Sequence, residues 1–409
     1  MNNHFINELD FKTPYYIFDE SILCSHVGEL SAIRAKYTKE DLSFCYAIKA
    51  NPFLIPYIDK LVDHFEVCSW GELKICRQYK VDPSKIILSG VNKEPGMISD
   101  ALEYGVRIFT AESMHQYDEI VRQVEGKENR KNKEQTAEVD VQIKLLPRLS
   151  NGAQFGMDES CVEEIIRDRD KHPNVSIAGI HYFTGTQKKK FSKIESELKL
   201  LEELFAELKN EYDFEPELLE YGPGLGVPYF VGDDFENYYS VYEEMVQYIV
   251  SAKYSYRVNL EMGRFFVASC GDYVTSIADV KGTPERPILI LDGGRNHISY
   301  YGQNMVMKTP VIVSMKDDES NAVPCDLYGS LCSFNDMIAR EVMIPDPKIG
   351  DWLVFKNIGA YSVTEGIYLF LSRDLPAVYI KETDDTCKML RNGDPTYVTN
   401  CHVSIQSVE

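Results

Sequence analysis

Short apolar runs recur along the first two thirds of the chain, at 43–48, 64–68, 86–89, 106–109, 139–146, 177–183, 217–221 and 257–261. Each is bounded by turn-forming residues, as expected of strands buried on both faces. Between them the apolar positions fall at helical spacing. In the clearest interval Ile194, Leu198, Leu201, Phe205 and Leu208 share one face, with Glu and Lys on the other. Eight such runs alternating with helices predict an α/β fold, a closed parallel (β/α)8 TIM barrel rather than an open sheet. Beyond residue 265 the pattern changes. Tyr273-Val274-Thr275-Ser276-Ile277, Pro287-Ile288-Leu289-Ile290-Leu291 and Trp352-Leu353-Val354-Phe355 stand between Gly, Pro and Asp turns, without long helical periodicity. That texture predicts a C-terminal antiparallel β domain. The expected organisation is an N-terminal segment over 1–25 joining the β domain, a barrel over 26–265, the β domain over 266–380, and a polar, loosely attached tail over 381–409.

A barrel collects chemistry where its strands end. Those ends carry Lys49, Glu66 with Ser69, Gly90, Glu112, Lys144 with Arg148, His181 with Thr186, the turn Gly222-Pro223-Gly224-Leu225-Gly226, and Glu261 with Arg264. Lys49 closes the apolar run Phe44-Cys45-Tyr46-Ala47-Ile48. An amine that loses hydration at the end of a buried strand becomes a usable nucleophile toward carbonyls. The glycine turn is no dinucleotide fingerprint, since it comes late and contains a proline. It offers bare backbone N–H groups to a phosphate, or is a plain tight turn. Glu261 can accept a hydrogen bond from a protonated pyridine nitrogen, or pair with Arg264 on the rim. Together the set suits a phosphorylated aldehyde cofactor better than a metal. Cys332 and Tyr361 read individually as a packing thiol and a half-buried aromatic.

Composition narrows the partners. With 409 residues, 44% hydrophobic and 26% charged, the chain suits a globular protein of two cores. A net charge of −21 argues against nucleic acid or an anionic membrane. The basic tracts Lys127 to Lys133 and Lys188-Lys189-Lys190 are short and read as solvated loops. No apolar run reaches the length of a transmembrane helix, and Met1 to Phe5 lacks a basic segment followed by an apolar one. The ten cysteines are scattered singly, which suggests reduced thiols in a cytoplasm.

The ordered blocks Tyr46-Ala47-Ile48-Lys49-Ala50-Asn51-Pro52, Ser69-Trp70-Gly71-Glu72-Leu73, Gln154-Phe155-Gly156-Met157, Gly185-Thr186-Gln187, the glycine turn, Glu261-Met262-Gly263-Arg264, Cys332 to Asp336 and Gly359-Ala360-Tyr361 add up. Over residues 13–380 the chain resembles the diaminopimelate/ornithine decarboxylase family, fold type III enzymes that use pyridoxal 5′-phosphate. The resemblance implies that Lys49 is joined to the cofactor aldehyde and Glu261 pairs with its ring nitrogen. Glu66 and Phe183 would lie at the ring. Gly222, Gly224, Arg264, Thr186 and Tyr361 would hold the phosphate, with Tyr361 and the proton donor Cys332 supplied by the other chain of a homodimer. Arg295, His297, Ser333 and Asp336 are the expected substrate contacts.

Three departures bear on activity. Phe183 stands where the family stacks a histidine, Lys144 stands where strand five often has arginine, and Pro223 removes one N–H from the phosphate turn. A fourth bears on substrate. Ser333 follows Cys332, where diamine-forming members place Asp or Glu against the substrate's distal cation. These choices are similar to a biosynthetic branch that includes the butirosin-pathway and siderophore-pathway decarboxylases. They point to an amino acid tethered to an acyl-carrier protein or otherwise conjugated at its far end, with Lys188-Lys189-Lys190 as the dock for an acidic carrier. The alternatives are diaminopimelate decarboxylation, amino-acid racemisation, and a cofactor-binding homologue without turnover.

Overall fold

The computed structural model describes residue 6 and residues 11–37, 42–131, 142–301, 308–316 and 320–401. Two compact units form. One comprises Val27–Gly226 with Asn237–Phe265, the other Met1–His26 with Val227–Glu236 and Phe266–Glu409. The first strand of the chain, β1 (Tyr15–Asp19), belongs to the second of these units.

The first unit is the barrel. Its strands are β2 (Leu42–Ala47), β3 (His64–Val67), β4 (Ile86–Leu88), β5 (Ile108–Ala111), β6 (Ile143–Pro147), β7 (Val175–Ile177), β8 (Gly179–Phe183), β9 (Leu218–Gly222) and β10 (Arg257–Met262). They run in the order β7-β6-β5-β4-β3-β2-β10-β9-β8, and neighbours are parallel. A bridge between Arg148 and His181, in which the Leu149 N–H donates to the His181 carbonyl at 3.0 Å, closes the ring. Nine strands appear where the sequence suggests eight because the 177–183 run breaks at Ala178. β7 pairs with β6 and β8 pairs with β9. The crossing onto β9 is so close that a Cβ at Gly179 would stand 1.7 Å from the Leu218 carbonyl oxygen, and only glycine fits. Strand 139–146 is shorter than expected, beginning at Ile143, and 139–141 lie outside the described residues.

Helices fill the intervals. Phe191–Tyr212 buries Ile194, Leu198, Leu201, Phe205 and Leu208, the stripe its periodicity predicts, with Leu204 beside them. Burying each such side chain stabilises the fold by about 1.5–3 kcal/mol. Inside the barrel the usual apolar layers give way to polar groups. Ser43, Asn259, Glu220 and His181 are register partners across four strands, so all four share one side of the sheet.

The second unit is a mixed sheet of β1, β11 (Gly271–Thr283), β12 (Arg286–Leu291), β13 (Ile312–Ser314), β14 (Ala322–Tyr328), β15 (Met337–Pro345), β16 (Trp352–Phe355), β17 (Ala377–Lys381) and β18 (Cys387–Arg391). Most pairs are antiparallel, but β1–β17 and β12–β14 are parallel. β1 lies between β11 and β17, with all five residues buried, and Phe11 stacks on Tyr379 at 4.0 Å. Val227–Glu236, expected within the barrel, clusters with this unit: the Val231 N–H donates to the Thr309 carbonyl and Tyr229 packs edge-on against Tyr300. The stretch read as a loose tail is ordered through residue 401. β18 pairs with β17, and Asn400 after it donates to the Leu369 carbonyl at 2.6 Å. Residues 402–409 and the end of the Lys127–Lys133 tract lie outside the described residues. No helix among the described residues is long and apolar enough to cross a membrane.

Candidate active site

Lys49 does not sit on a strand. β2 ends at Ala47, and the chain turns through a single 3-10 turn, Ile48–Ala50, before Asn51 caps the next turn by accepting from the Phe53 N–H. The turn lifts the lysine off the sheet, leaving its side chain 40% exposed, so the expectation of an amine that loses hydration at a strand end is corrected. Its Nζ donates to Glu66 Oε2 at 2.7 Å and lies 4.0 Å from Glu261 Oε1. Glu66 also accepts from the Cys68 thiol at 3.0 Å, and Cys68 Sγ lies 3.5 Å from Lys49 Nζ. Burial, then the Glu66 carboxylate, push that thiol's pKa up, so Cys68 stays protonated beside the amine.

Glu261, at the end of β10, is 9% exposed. His181 Nε2 lies 3.1 Å from its Oε2, but in an orientation that leaves both atoms without a hydrogen bond among the described residues. Burial pushes His181 down to about 3, so its ring is neutral. The unfolded histidine takes a proton near pH 6.5 and the folded one only near pH 3. Stability is therefore lost as pH falls through that window. Urea unfolding at pH 7 and pH 4.5 should show a smaller acid penalty in His181→Asn than in the parent chain; equal penalties would mean the ring is not buried neutral.

Below Glu261 lies Glu220, fully buried. It accepts from Asn259 Nδ2 at 2.6 Å, and Asn259 in turn accepts from the Ser43 hydroxyl. Burial first and the Glu261 charge second hold the Glu220 carboxyl well above the usual carboxylate range. Glu261 is thus the carboxylate of the pair that can face a cation. On the opposite wall Arg148 pairs with Glu112 at 2.8 Å, Glu112 also accepts from the Gly156 N–H, and the guanidinium lies over the Phe155 ring. Arg148, not Lys144, is the cation at this strand end. Lys144 near the start of β6 is half exposed and pairs with Glu217.

The glycine turn packs against the 184–188 loop. A Cβ at Gly224, where φ is +62°, would stand 1.8 Å from the Gly185 carbonyl oxygen, and one at Gly222 would stand 2.6 Å from the Phe183 ring. The bare backbone is therefore required by the approach of the two segments. Gly224→Ala should weaken retention of a phosphate-bearing ligand by about tenfold or more, as judged by equilibrium dialysis. Lys188 does not belong to an exposed basic dock: its side chain is 8% exposed and pairs with Glu197 at 2.7 Å. Only Lys189 and Lys190 of that tract face solvent.

In the other unit Cys332 is exposed, on a tight loop. Asp336, read from sequence as a substrate contact, is 2% exposed and accepts the Leu331 and Arg295 N–H groups at 2.7 and 3.0 Å. Its oxygens anchor the loop. His297, also read as a substrate contact, is buried with Nδ1 on the Tyr273 hydroxyl and Nε2 on Asn296. Arg295 donates to the Asn335 carbonyl, and Ser333 is exposed. Tyr361 holds a left-handed backbone, φ +67°, a strained conformation of the kind found at ligand contacts.

These residues fit pyridoxal phosphate. An amine at the mouth, a carboxylate with an uncommitted buried oxygen across from it, and a cradle that admits no Cβ match an aldehyde, a ring nitrogen and a phosphate. Sequence reasoning missed Cys68, Glu220 with Asn259, and Lys93. Lys93 is buried, donates to the Gly90 carbonyl and Gln116 Oε1, and is pushed by burial down to about 8. The signal for it was Lys93 lying just past a strand-end glycine, Gly90.

A family model for the pyridoxal-binding domain of pyridoxal-dependent decarboxylases matches residues 28–268. The L-glutamyl-[BtrI acyl-carrier protein] decarboxylase of Niallia circulans is 26% identical over 94% of this chain and 92% of its own length. The 2-[(L-alanin-3-ylcarbamoyl)methyl]-2-hydroxybutanedioate decarboxylase of Staphylococcus aureus is 26% identical over 91% of this chain and 95% of its own. Diaminopimelate decarboxylase of Aquifex aeolicus is 25% identical over 86% and 82%. Among solved structures, diaminopimelate decarboxylase from M. jannaschii superposes with a TM-score of 0.84 at 21% identity, over 98% of this chain and 94% of that one, which shows the shared fold.

Proposed function

The chain belongs to the family of pyridoxal-dependent decarboxylases, and from that membership we propose that its substrate is an amino acid conjugated at its far end. It is a pyridoxal-phosphate-dependent amino-acid decarboxylase. When bound, the cofactor supplies a positively charged ring that takes up the electron pair released as the α-carboxylate departs as carbon dioxide.

The chain's own groups divide the remaining work. Lys49 Nζ would hold the cofactor aldehyde, and its amine can share a proton with Glu66 at 2.7 Å. Glu261 would hold the ring nitrogen with a carboxylate oxygen, while neutral His181 and neutral Glu220 behind it leave its charge uncontested. Phe183 would cover a ring face. The N–H groups of Gly222 and Gly224, the Thr186 hydroxyl and Arg264 would hold the phosphate. Tyr361 and Cys332 serve from a second copy of the chain, Tyr361 at the phosphate and Cys332 as proton donor. The exposed loop with Cys332 and the wholly exposed Phe334 supports such a dimer. All ten cysteines are unpaired thiols, which supports residence in a reducing cytoplasm. Cys332→Ala should slow turnover by about 10²-fold while the bound cofactor's absorbance is unchanged. An unaltered rate in stopped-flow assays would remove the thiol from the reaction.

One observation carries the substrate reading. Between Ser330 and Asn335 the loop presents a thiol, hydroxyls, a phenyl ring and an amide, and its carboxylate, Asp336, is spent on backbone N–H groups. A distal ammonium would find no counter-charge on this loop; a neutral amide or thioester needs none. Likeness to the Niallia and Staphylococcus relatives, which are named for conjugated acids as substrates, supports the same reading. Arg295 and Ser333 are the contacts left for that far end. The test is carbon dioxide release from purified enzyme with carrier-bound glutamate, amide-conjugated amino acids and meso-diaminopimelate in parallel. Turnover of the conjugated acids at least about tenfold above diaminopimelate is expected. The reverse preference would make the chain a diaminopimelate decarboxylase, and racemisation without gas would reject decarboxylation itself.

A further inference from the structure

The carboxylate of Glu197 gathers three donors in one place. From the first turns of helix Phe191–Tyr212, its Oε2 accepts from Lys188 Nζ and from the Tyr221 hydroxyl, both at 2.7 Å, and its Oε1 accepts from the Thr184 hydroxyl. These donors come from two separate stretches of chain. Thr184 and Lys188 bracket Gly185-Thr186-Gln187, and Tyr221 immediately precedes Gly222. The same stretches are laced together by backbone: the Lys188 N–H donates to the Gly224 carbonyl at 2.9 Å, and the Gly226 N–H to the Lys188 carbonyl at 3.0 Å.

The surroundings are dry. Tyr221 is fully buried, Lys188 nearly so, and the Glu197 side chain is 14% exposed. Burial lowers the proton affinity of Lys188, and the Glu197 charge opposes that. A carboxylate with three donors in such a site holds its partners far more rigidly than a solvated ion pair does. Without it, Lys188 would be a buried cation lacking its anion, and the two stretches would lose the group that sets their spacing.

We propose that Glu197 is a positioning residue for the phosphate cradle, fixing the 184–188 loop against the glycine turn and thereby setting affinity for phosphorylated ligands. This rests on reading that cradle as the phosphate site. Backbone donors stabilise a phosphate only where they are held ready at hydrogen-bond distance, so a shift of the loop by a fraction of an ångström costs affinity even though Glu197 never touches the ligand.

The experiment titrates the full-length, cofactor-free chain with pyridoxal phosphate and, separately, with pyridoxal, following ligand absorbance in the parent chain, Glu197→Gln and Tyr221→Phe. Thermal unfolding of each ligand-free chain is measured alongside. The parent should prefer the phosphorylated ligand. Glu197→Gln should lose about tenfold in affinity for pyridoxal phosphate and Tyr221→Phe about threefold, with pyridoxal binding unchanged in both. Equal weakening toward both ligands, or a lowered melting temperature with the preference intact, would overturn the proposal by making Glu197 a structural group only. A parent chain without preference would instead remove the phosphate from this cradle, and the proposal with it. Should Glu197→Gln fail to fold, Tyr221→Phe decides alone, since it deletes one donor and no charge.

Discussion

Lys49→Ala should yield a folded chain that no longer develops the visible absorbance of bound cofactor and decarboxylates more than about 10³-fold more slowly. The expectation rests on where the amine stands. The 3-10 turn after β2 delivers Nζ to a point 2.7 Å from Glu66 and 4.0 Å from Glu261. Two carboxylates around one amine keep it at the barrel mouth, and a side chain 40% exposed can be reached by an incoming aldehyde. Folding should survive because the turn is held by neighbours: the Asn51 N–H donates to the Ile48 carbonyl, and the Tyr46 hydroxyl donates to the Asn51 carbonyl. Absorbance titration and a carbon dioxide assay check both halves. Retention of the visible band would assign the cofactor to another lysine.

Glu261→Gln is expected to separate binding from chemistry. The amide keeps the shape of the site but replaces a charged acceptor with a neutral one, and charge-assisted hydrogen bonds are roughly twice as strong as neutral ones. The visible band should persist because Lys49 is intact, while kcat falls by about 10²–10³-fold, the scale on which single preorganised electrostatic contacts act. Glu220 is not placed to substitute: burial, the larger cause of its raised proton affinity, persists when the Glu261 charge is removed, and its Oε2 is engaged with Asn259. A variant with both band and kcat preserved would remove Glu261 from the reaction.

Much of this was legible from spacing. The helical stripe from Ile194 to Leu208 and the apolar runs fixed strand and helix order, because those patterns report burial directly. Lys49, Glu66 and Glu261 could be named together because a barrel gathers strand ends, and the structure does bring these three within reach of one another. What escaped depends on distance rather than period. The break at Ala178 follows from the approach of Gly179 to Leu218, which no single run encodes. Nothing in its run marks β1, expected in the β domain, as the parallel partner of β17. Asp336, in a block that carries the family resemblance, is an expected substrate contact, yet two backbone N–H groups claim it. Lys188 looked like the head of a basic patch and is instead buried against Glu197. In each case a charge read as free is paired inside the fold, and pairing is a tertiary property.

Two lysines compete for the cofactor on physical grounds. Burial pushes Lys93 down to about 8, but it is enclosed and its ammonium is spent on the Gly90 carbonyl and Gln116. Lys49 has access and faces Glu261. Loading the enzyme with pyridoxal phosphate, reducing it with borohydride and mapping the modified peptide by mass spectrometry decides between them. The label is predicted on the peptide containing Lys49; a label on Lys93, or on any lysine outside the mouth of the barrel, would contradict the account.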